Sequence, residues 1–379
     1  MKNILFIHQS AELYGSDKTL LLLLKHLDKA NFNSVVILPN DGPLKTELEK
    51  ENIKVVIAPV LKLYRKMFSP GNILKFFVDI KEAFKALDIL NKEYKFDLIY
   101  SNTLAVLLGM IYSRKRQIKH IWHVHEIIVH PKIIASTFPK LLNKYADLII
   151  CNSYSTMKNL TDRTKMLEHK SVVIYNGIES TMYNEIESKE DFGFASQDLL
   201  LTLVGRISRL KGHKWLLSTF INELSKNLEV QLLFVGSPVE NQEYYLEEIE
   251  EIILDNKLSN RVKIIPFTKD LSKIWSITDI AIMPSTEAES FGLVAVEAML
   301  AKKPVIGSNH GGLTEIIVNN ETGFLVEPNN ETKLAEAISK LIENPELRKQ
   351  FGENGYQRAI NEFSVATYVN KFEKLLLEL

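Results

Sequence analysis

Two carboxylates separated by seven residues stand in the run Glu289-Ser-Phe-Gly-Leu-Val-Ala-Val-Glu297-Ala-Met299. A helix opening at Gly292 would leave backbone amides free at Phe291, Gly292 and Leu293, with Ser290 beside them. The positive end of such a helix attracts phosphate. Glu297, flanked by Val294, Val296, Ala298 and Met299, is expected to be partly buried. A buried carboxylate needs donors, and the two hydroxyls of a ribose can supply them. The plainer readings are a helix-dipole partner for Glu289 and an exposed helix position for Glu297. A second run, Leu203-Val-Gly-Arg206-Ile-Ser-Arg-Leu-Lys211-Gly212, ends a strand in glycine and then supplies Arg206 and Lys211 at the mouth of the next helix. Cations converging there suit a diphosphate leaving group, on which negative charge builds as its partner departs.

The first strand-like run, Asn3 to His8, leads into Ser10-Ala-Glu-Leu-Tyr-Gly15-Ser-Asp-Lys. Gly15 allows close approach of backbone amides to an anion, and the helix is predicted to open at Ser16 or Asp17. A single glycine after a strand serves equally as a simple turn, and the loop lacks the G-x-G-x-x-G dinucleotide fingerprint. His123 and His125, in Ile121-Trp-His-Val-His-Glu126, are spaced as alternate residues of a strand, so their rings are expected on one side. No further cluster at metal-ligand spacing accompanies them, so a substrate hydroxyl or anionic group is the better match. Spacing alone does not choose between the two rings, and a structural role for His123 stands beside the functional one.

Several loops must be held together for such chemistry, and the rest of the chain is patterned to do that. Short runs rich in β-branched and apolar residues alternate with amphipathic stretches of helical length, the pattern of parallel strands buried on both faces. Seven such runs precede residue 178, and six more follow a polar, acidic interval from Glu179 to Asp198. The predicted organisation is an α/β chain of two Rossmann-like domains: an N-terminal domain over 1–178, a C-terminal domain over 179–360 and a terminal helix over 361–379 packing back on the first domain. Ligands of open parallel sheets lie beyond the carboxyl ends of the strands, so two such sheets are expected to face each other across a cleft.

The chain has 379 residues and a net charge of only −1, which argues against a nucleic-acid partner. Between Val60 and Lys144, however, 15 Lys and Arg stand against 6 Asp and Glu. Lys62-Leu-Tyr-Arg-Lys-Met-Phe68 mixes cations with apolar side chains as membrane-surface segments do. That suggests a footing on an anionic membrane, the alternative being a solvated basic face. The lone Cys151 closes an apolar run and reads as a small buried hydrophobe in a reducing compartment. The N-terminal residues form a strand pattern rather than a signal peptide. The expectation is a cytoplasmic protein, peripheral at the inner face of the plasma membrane.

Taken together these runs resemble the retaining glycosyltransferases of family 4, also called group 1, which have the GT-B architecture. The resemblance rests on the E-x7-E element from Glu289 to Glu297 and on Gly205-Arg206 with Lys211-Gly212. It also rests on Tyr175-Asn-Gly-Ile178, Gly311-Gly-Leu-Thr-Glu315 and Thr322-Gly-Phe-Leu-Val326. It spans nearly the whole chain in the family's order. It implies a UDP- or GDP-linked sugar as donor, no cofactor, no metal, and a glycan or lipid-linked oligosaccharide as acceptor. By the same resemblance Arg206 and Lys211 would bind the diphosphate, Ser290, Phe291, Gly292 and Leu293 would meet phosphate, Glu297 would hold the ribose and Glu289 the transferred sugar. Gly15 would belong to the loop closing over the phosphates, and His125 would lie near the reacting centre. The first loop carries one glycine where many relatives have two together. A sugar-nucleotide epimerase and a non-catalytic partner subunit are the rival readings. The first lacks a carboxylate set in the N-terminal half, and the second would have no need of the two cations and two glutamates.

Overall fold

The computed structural model describes residues 1–62, 70–180, 187–268 and 270–379. The Lys62 to Phe68 segment therefore lies, from residue 63 onward, outside the described residues. The chain forms two compact units, one of Met1–Glu179 with Val365–Leu379 and one of Ser180–Ser364.

In the first unit, seven strands run β1 (Lys2–His8), β2 (Phe32–Leu38), β3 (Lys54–Ile57), β4 (Leu98–Asn102), β5 (Lys119–Val124), β6 (Leu148–Cys151) and β7 (Ser171–Val173). They pair in parallel in the order β3-β2-β1-β4-β5-β6-β7. The second unit has β8 (Leu199–Val204), β9 (Val230–Val235), β10 (Val262–Ile265), β11 (Ile280–Met283), β12 (Val305–Ser308) and β13 (Gly323–Val326). Its order is β10-β9-β8-β11-β12-β13, again parallel. The expected pair of parallel-sheet, Rossmann-like folds is present. Strands such as Leu-Leu-Leu-Thr-Leu-Val in β8 are continuous apolar runs because helices cover both faces.

Each sheet reverses its winding once, between β1 and β4 in the first unit and between β8 and β11 in the second. The loops leaving these neighbouring strands turn to opposite faces, which opens a crevice at their carboxyl ends. His8 ends β1 directly opposite Asn102, the last residue of β4, and Asn102 is in turn opposite His123 of β5. In the second unit the corresponding loops are Gly205–Gly212 after β8 and Pro284–Gly292 after β11.

Local signals set the helices. Asn330 caps Glu331–Glu343 by accepting the Lys333 amide at 3.0 Å. Leu334, Ile338 and Leu341 line that helix's buried stripe. Asn344 caps Pro345–Glu362, with proline at the first position, where its missing N–H is not needed. The last helix, Val365–Glu378, belongs to the first unit, where it buries Tyr368, Val369, Phe372 and Leu376. Gly177 lies so close to it that a Cβ there would come within 2.6 Å of the Tyr368 Cβ. The first-loop helix begins at Gly15, slightly before the predicted Ser16 or Asp17, because Tyr14 occupies the cap and donates its amide to Asp17 at 2.8 Å.

Candidate active site

In the second unit the two loops at the winding reversal are fastened to each other. Arg209 pairs with Glu287, the Thr286 amide donates to the Leu210 carbonyl at 2.9 Å, and the Thr286 hydroxyl donates to the Arg209 carbonyl at 2.9 Å. Gly212 takes φ +74° against Pro284, where any Cβ would fall 1.7 Å from the proline carbonyl oxygen. These contacts bring Lys211 to Glu289, with Nζ and Oε1 2.9 Å apart. Glu289 also accepts from the Ser285 hydroxyl. The His310 ring meets the Ser285 carbonyl at 2.9 Å. Burial opposes ionisation of Glu289, but Lys211, Ser285 and His310 outweigh it and hold its carboxyl below the usual value. It is an anion built to accept hydrogen bonds.

The backbone of the same loop is held from behind. The Gly312 amide donates to the Glu289 carbonyl at 2.7 Å. A Cβ on Gly311 would approach that carbonyl to 2.4 Å, and one on Gly312 would approach the Phe291 carbonyl to 2.4 Å. This close approach is the structural use of the Gly311-Gly312 pair. Phe291 is buried edge-on against Phe363, with ring centroids 5.7 Å apart, and anchors the turn. Gly292, at φ +120°, then starts the helix Leu293–Leu300, with Ser290 and Leu293 half-buried on either side. Glu297 is on the second turn, half-buried, while Arg206 is exposed on the loop after β8. A pocket of about 580 Å³ also opens in this unit, among Ser208, Arg209, His213, Tyr244, Glu248 and Glu331. Arg206, Lys211, Glu289, Gly292 and Glu297 do not line it, so pocket size alone does not point to the charged cluster.

In the first unit the two histidines lie on one side, as alternation requires, with ring centroids 3.9 Å apart. Their surroundings differ. His123 is buried, hydrogen-bonded through Nδ1 to the Tyr100 hydroxyl at 2.6 Å and packed on Phe372 at 5.5 Å between centroids. His125 is half-buried just beyond β5, and its Nε2 is 2.8 Å from Asn102 Oδ1. Glu126 accepts the amides of His125 at 3.0 Å and Leu104 at 3.2 Å. Burial nevertheless raises its carboxyl to about 7. Gly15 is exposed at the start of its helix, and Asp17, two residues on, is buried against His8 at 2.5 Å.

The sequence reading missed Asp17, His8 and Asn102. Each looks ordinary alone; the pairing of β1 with β4 sets Asn102 beside His8, and the first helix lays Asp17 against it. The sequence reading also passed over Ser285 and His310, which surround Glu289. Among the described residues no group of three or more His, Cys, Asp or Glu side chains is placed to hold a metal ion. No helix among them is long and apolar enough to cross a membrane.

Residues 184–358 match the family described as glycosyl transferases group 1, and residues 14–181 match glycosyltransferase family 4. An uncharacterised glycosyltransferase of Methanocaldococcus jannaschii is 30% identical over 316 residues, which is 82% of this chain and 80% of the relative. The capsular polysaccharide biosynthesis glycosyltransferase CapM of Staphylococcus aureus is 28% identical over 357 residues, 90% of this chain and 88% of that protein. The crystal structure of Anabaena HepE in complex with UDP and glucose superposes with a TM-score of 0.83 at 27% identity, covering 100% of both chains. On these similarities and its pair of parallel sheets, the chain belongs to the group 1 glycosyltransferases of the GT-B fold.

Proposed function

We propose that this glycosyltransferase is retaining and metal-independent, and that it moves a sugar from a UDP- or GDP-linked donor to a hydroxyl of a glycan or lipid-linked oligosaccharide. The observation that carries the reading is the Lys211–Glu289 pair, at 2.9 Å, at the reversal point of the second sheet and beside the opening of the helix Leu293–Leu300. Lys211 and Arg206 neutralise the departing diphosphate, and the amides at Phe291, Gly292 and Leu293 receive phosphate oxygens. Ser290 adds a hydroxyl to that turn, and Glu297 takes the ribose. Glu289, kept ionised, accepts hydrogen bonds from the transferred sugar and at the same time fixes the Lys211 ammonium. Gly15 lets its loop close over the phosphates, and His125 stands at the reacting sugar.

With the leaving phosphate taking the acceptor proton, no separate strong base is required, and the protein's part is positioning and charge stabilisation. UDP is the favoured nucleotide, because HepE has been crystallised with UDP and with UDP-glucose. A cell-surface polysaccharide is the favoured product, from the likeness to CapM. The excess of Lys and Arg between Val60 and Lys144 supports an acceptor at an anionic membrane, in which case activity on vesicles weakens with salt.

The test is thermal shift and slow donor hydrolysis, in EDTA, against UDP-, GDP- and ADP-sugars, with Lys211→Ala and Glu297→Ala as controls. One donor should stabilise the wild type and neither variant. If no nucleotide sugar stabilises the wild type, the transferase reading falls and a non-catalytic partner subunit takes its place. Product analysis by NMR at the anomeric carbon decides retention.

A further inference from the structure

We propose that Asp17, His8 and Asn102 form a buried relay that holds His125 with its proton on Nε2 and presents Nδ1 as a hydrogen-bond acceptor for a sugar hydroxyl. The proposal rests on the reading of His125 as the ring beside the reacting sugar. Asp17 Oδ1 is 2.5 Å from His8 Nε2, and Asp17 Oδ2 accepts the Tyr14 amide at 2.8 Å. A carboxylate accepts, so His8 carries a proton on Nε2, and with a single proton on the ring its Nδ1 is a lone pair. Asn102 Nδ2 meets that lone pair at 3.0 Å and also donates to the Ser16 carbonyl at 3.3 Å. Two acceptors thus fix which end of the amide carries the hydrogens. Asn102 Oδ1 then faces His125 Nε2 at 2.8 Å, and an oxygen there requires a proton on that nitrogen.

Burial, with His8 adding to it and Asp17 opposing, brings the His125 ring down to about 3. The ring is neutral at pH 7, and its single proton is the one given to Asn102. Nδ1 of His125 has no hydrogen-bond partner among the described residues. A lone pair accepts from a hydroxyl and repels a phosphate oxygen, so the relay assigns His125 to the sugar. His8, Asp17 and Asn102 are 0%, 1% and 1% exposed, so water does not compete for these bonds. The next residue, Thr103, is held at φ +85°, a conformation that a β-branched side chain rarely adopts. Its amide donates to the His123 carbonyl at 2.9 Å and its carbonyl accepts the Trp122 indole at 2.8 Å. The end of β4 is therefore pinned to β5 through both backbone groups of Thr103. The relay also joins two functions, since the carboxylate that sets the tautomer also anchors the Tyr14–Gly15 loop.

Histidine-selective ¹⁵N NMR reads the tautomer directly in the protein without substrate, with His125→Gln to assign the signal. The wild type should show an unprotonated Nδ1 and a protonated Nε2 on His125. Asp17→Asn preserves shape, but with its oxygen committed to the Tyr14 amide it turns an N–H toward His8. The His8 proton then moves to Nδ1, the Asn102 amide flips, and His125 shifts toward the Nδ1–H form. Turnover should fall about a hundredfold, while UDP binding, measured separately, changes little. The double variant Asp17→Asn/Asn102→Asp places a carboxylate where it accepts from both rings and should restore the Nε2–H form together with most of the turnover. An Nδ1–H signal in the wild type, or an Asp17→Asn protein whose His125 stays in the Nε2–H form, overturns the relay. So does a double variant that restores neither. Because the tautomer is read without donor or acceptor, a protein inactive on every sugar tried would sink the transferase reading while leaving the relay decided by NMR.

Discussion

Replacing Lys211 by methionine removes a cation and keeps most of the side-chain volume, so its effect isolates the charge. Lys211 and Glu289 expose 26% and 18% of their side chains and meet at 2.9 Å. A hydrogen bond to a charged group contributes roughly 1.5–3 kcal/mol, and stranding the partner in a partly buried place adds to the loss. The expected cost is about 2–3 kcal/mol at pH 7.5, or about 4–12 °C in the melting of a unit of this size. The sign with pH follows from the carboxyl. Glu289 is depressed in the folded wild type, so the pair's contribution is complete above the unfolded-state value and fades as pH falls through the folded one. Without Lys211, burial is opposed only by Ser285 and His310, so the variant lacks most of the stabilisation that Glu289 gains as pH rises. The gap between the two proteins is therefore widest near pH 7.5 and narrows toward pH 4. Scanning fluorimetry of wild type, Lys211→Met, Glu289→Gln and the double variant across that range measures it. A gap of the same size at pH 4.5 and 7.5, or a coupling below about 0.5 kcal/mol in the double-mutant cycle, refutes the argument.

Gly212→Ala should lower stability by more than the roughly 1–2 kcal/mol of a left-handed alanine, because the new methyl group meets a backbone carbonyl that has to move. The same variant should weaken nucleotide binding, measured by titration calorimetry, since it parts the loops that pair Lys211 with Glu289. Glu126 has a folded-state value raised to about 7, so its own contribution to stability falls as pH rises from about 4.5 to 7. Glu126→Gln, which keeps an acceptor for the two backbone amides, removes that contribution, so the stability of the variant relative to wild type should rise by on the order of 2 kcal/mol between the acid and neutral ends of the range in urea titrations. Burial pushes the Cys151 thiol up to about 12, so maleimide should label it only on unfolding. Rapid labelling of the native protein at pH 7 would contradict that burial.

Much of this protein is written in short-range pattern. The apolar runs that become β1 to β13 are legible because strands buried on both faces must be apolar throughout. Residues 289 to 297 are legible for a similar reason: a turn, a helix start and a carboxylate two turns of chain away are fixed by neighbours in sequence. Gly311 and Gly312 could be noticed as a motif, but their reason is the close approach to the Glu289 and Phe291 carbonyls, which only the packed loops reveal.

The choice between His123 and His125 was beyond the sequence, because alternation places both rings on one side and says nothing of what covers them. The last helix decided the surroundings of His123 by laying Phe372 across it. The Asp17, His8, Asn102 and His125 chain was equally hidden, since 94 residues separate His8 from Asn102. Composition and periodicity determined that there would be two parallel sheets. Which strand lies beside which, and so which lone polar side chains meet in the dark between them, was decided by the tertiary structure. Burial makes an unpaired polar group costly, so those side chains had to find one another, and the sequence carries no local sign of where they would.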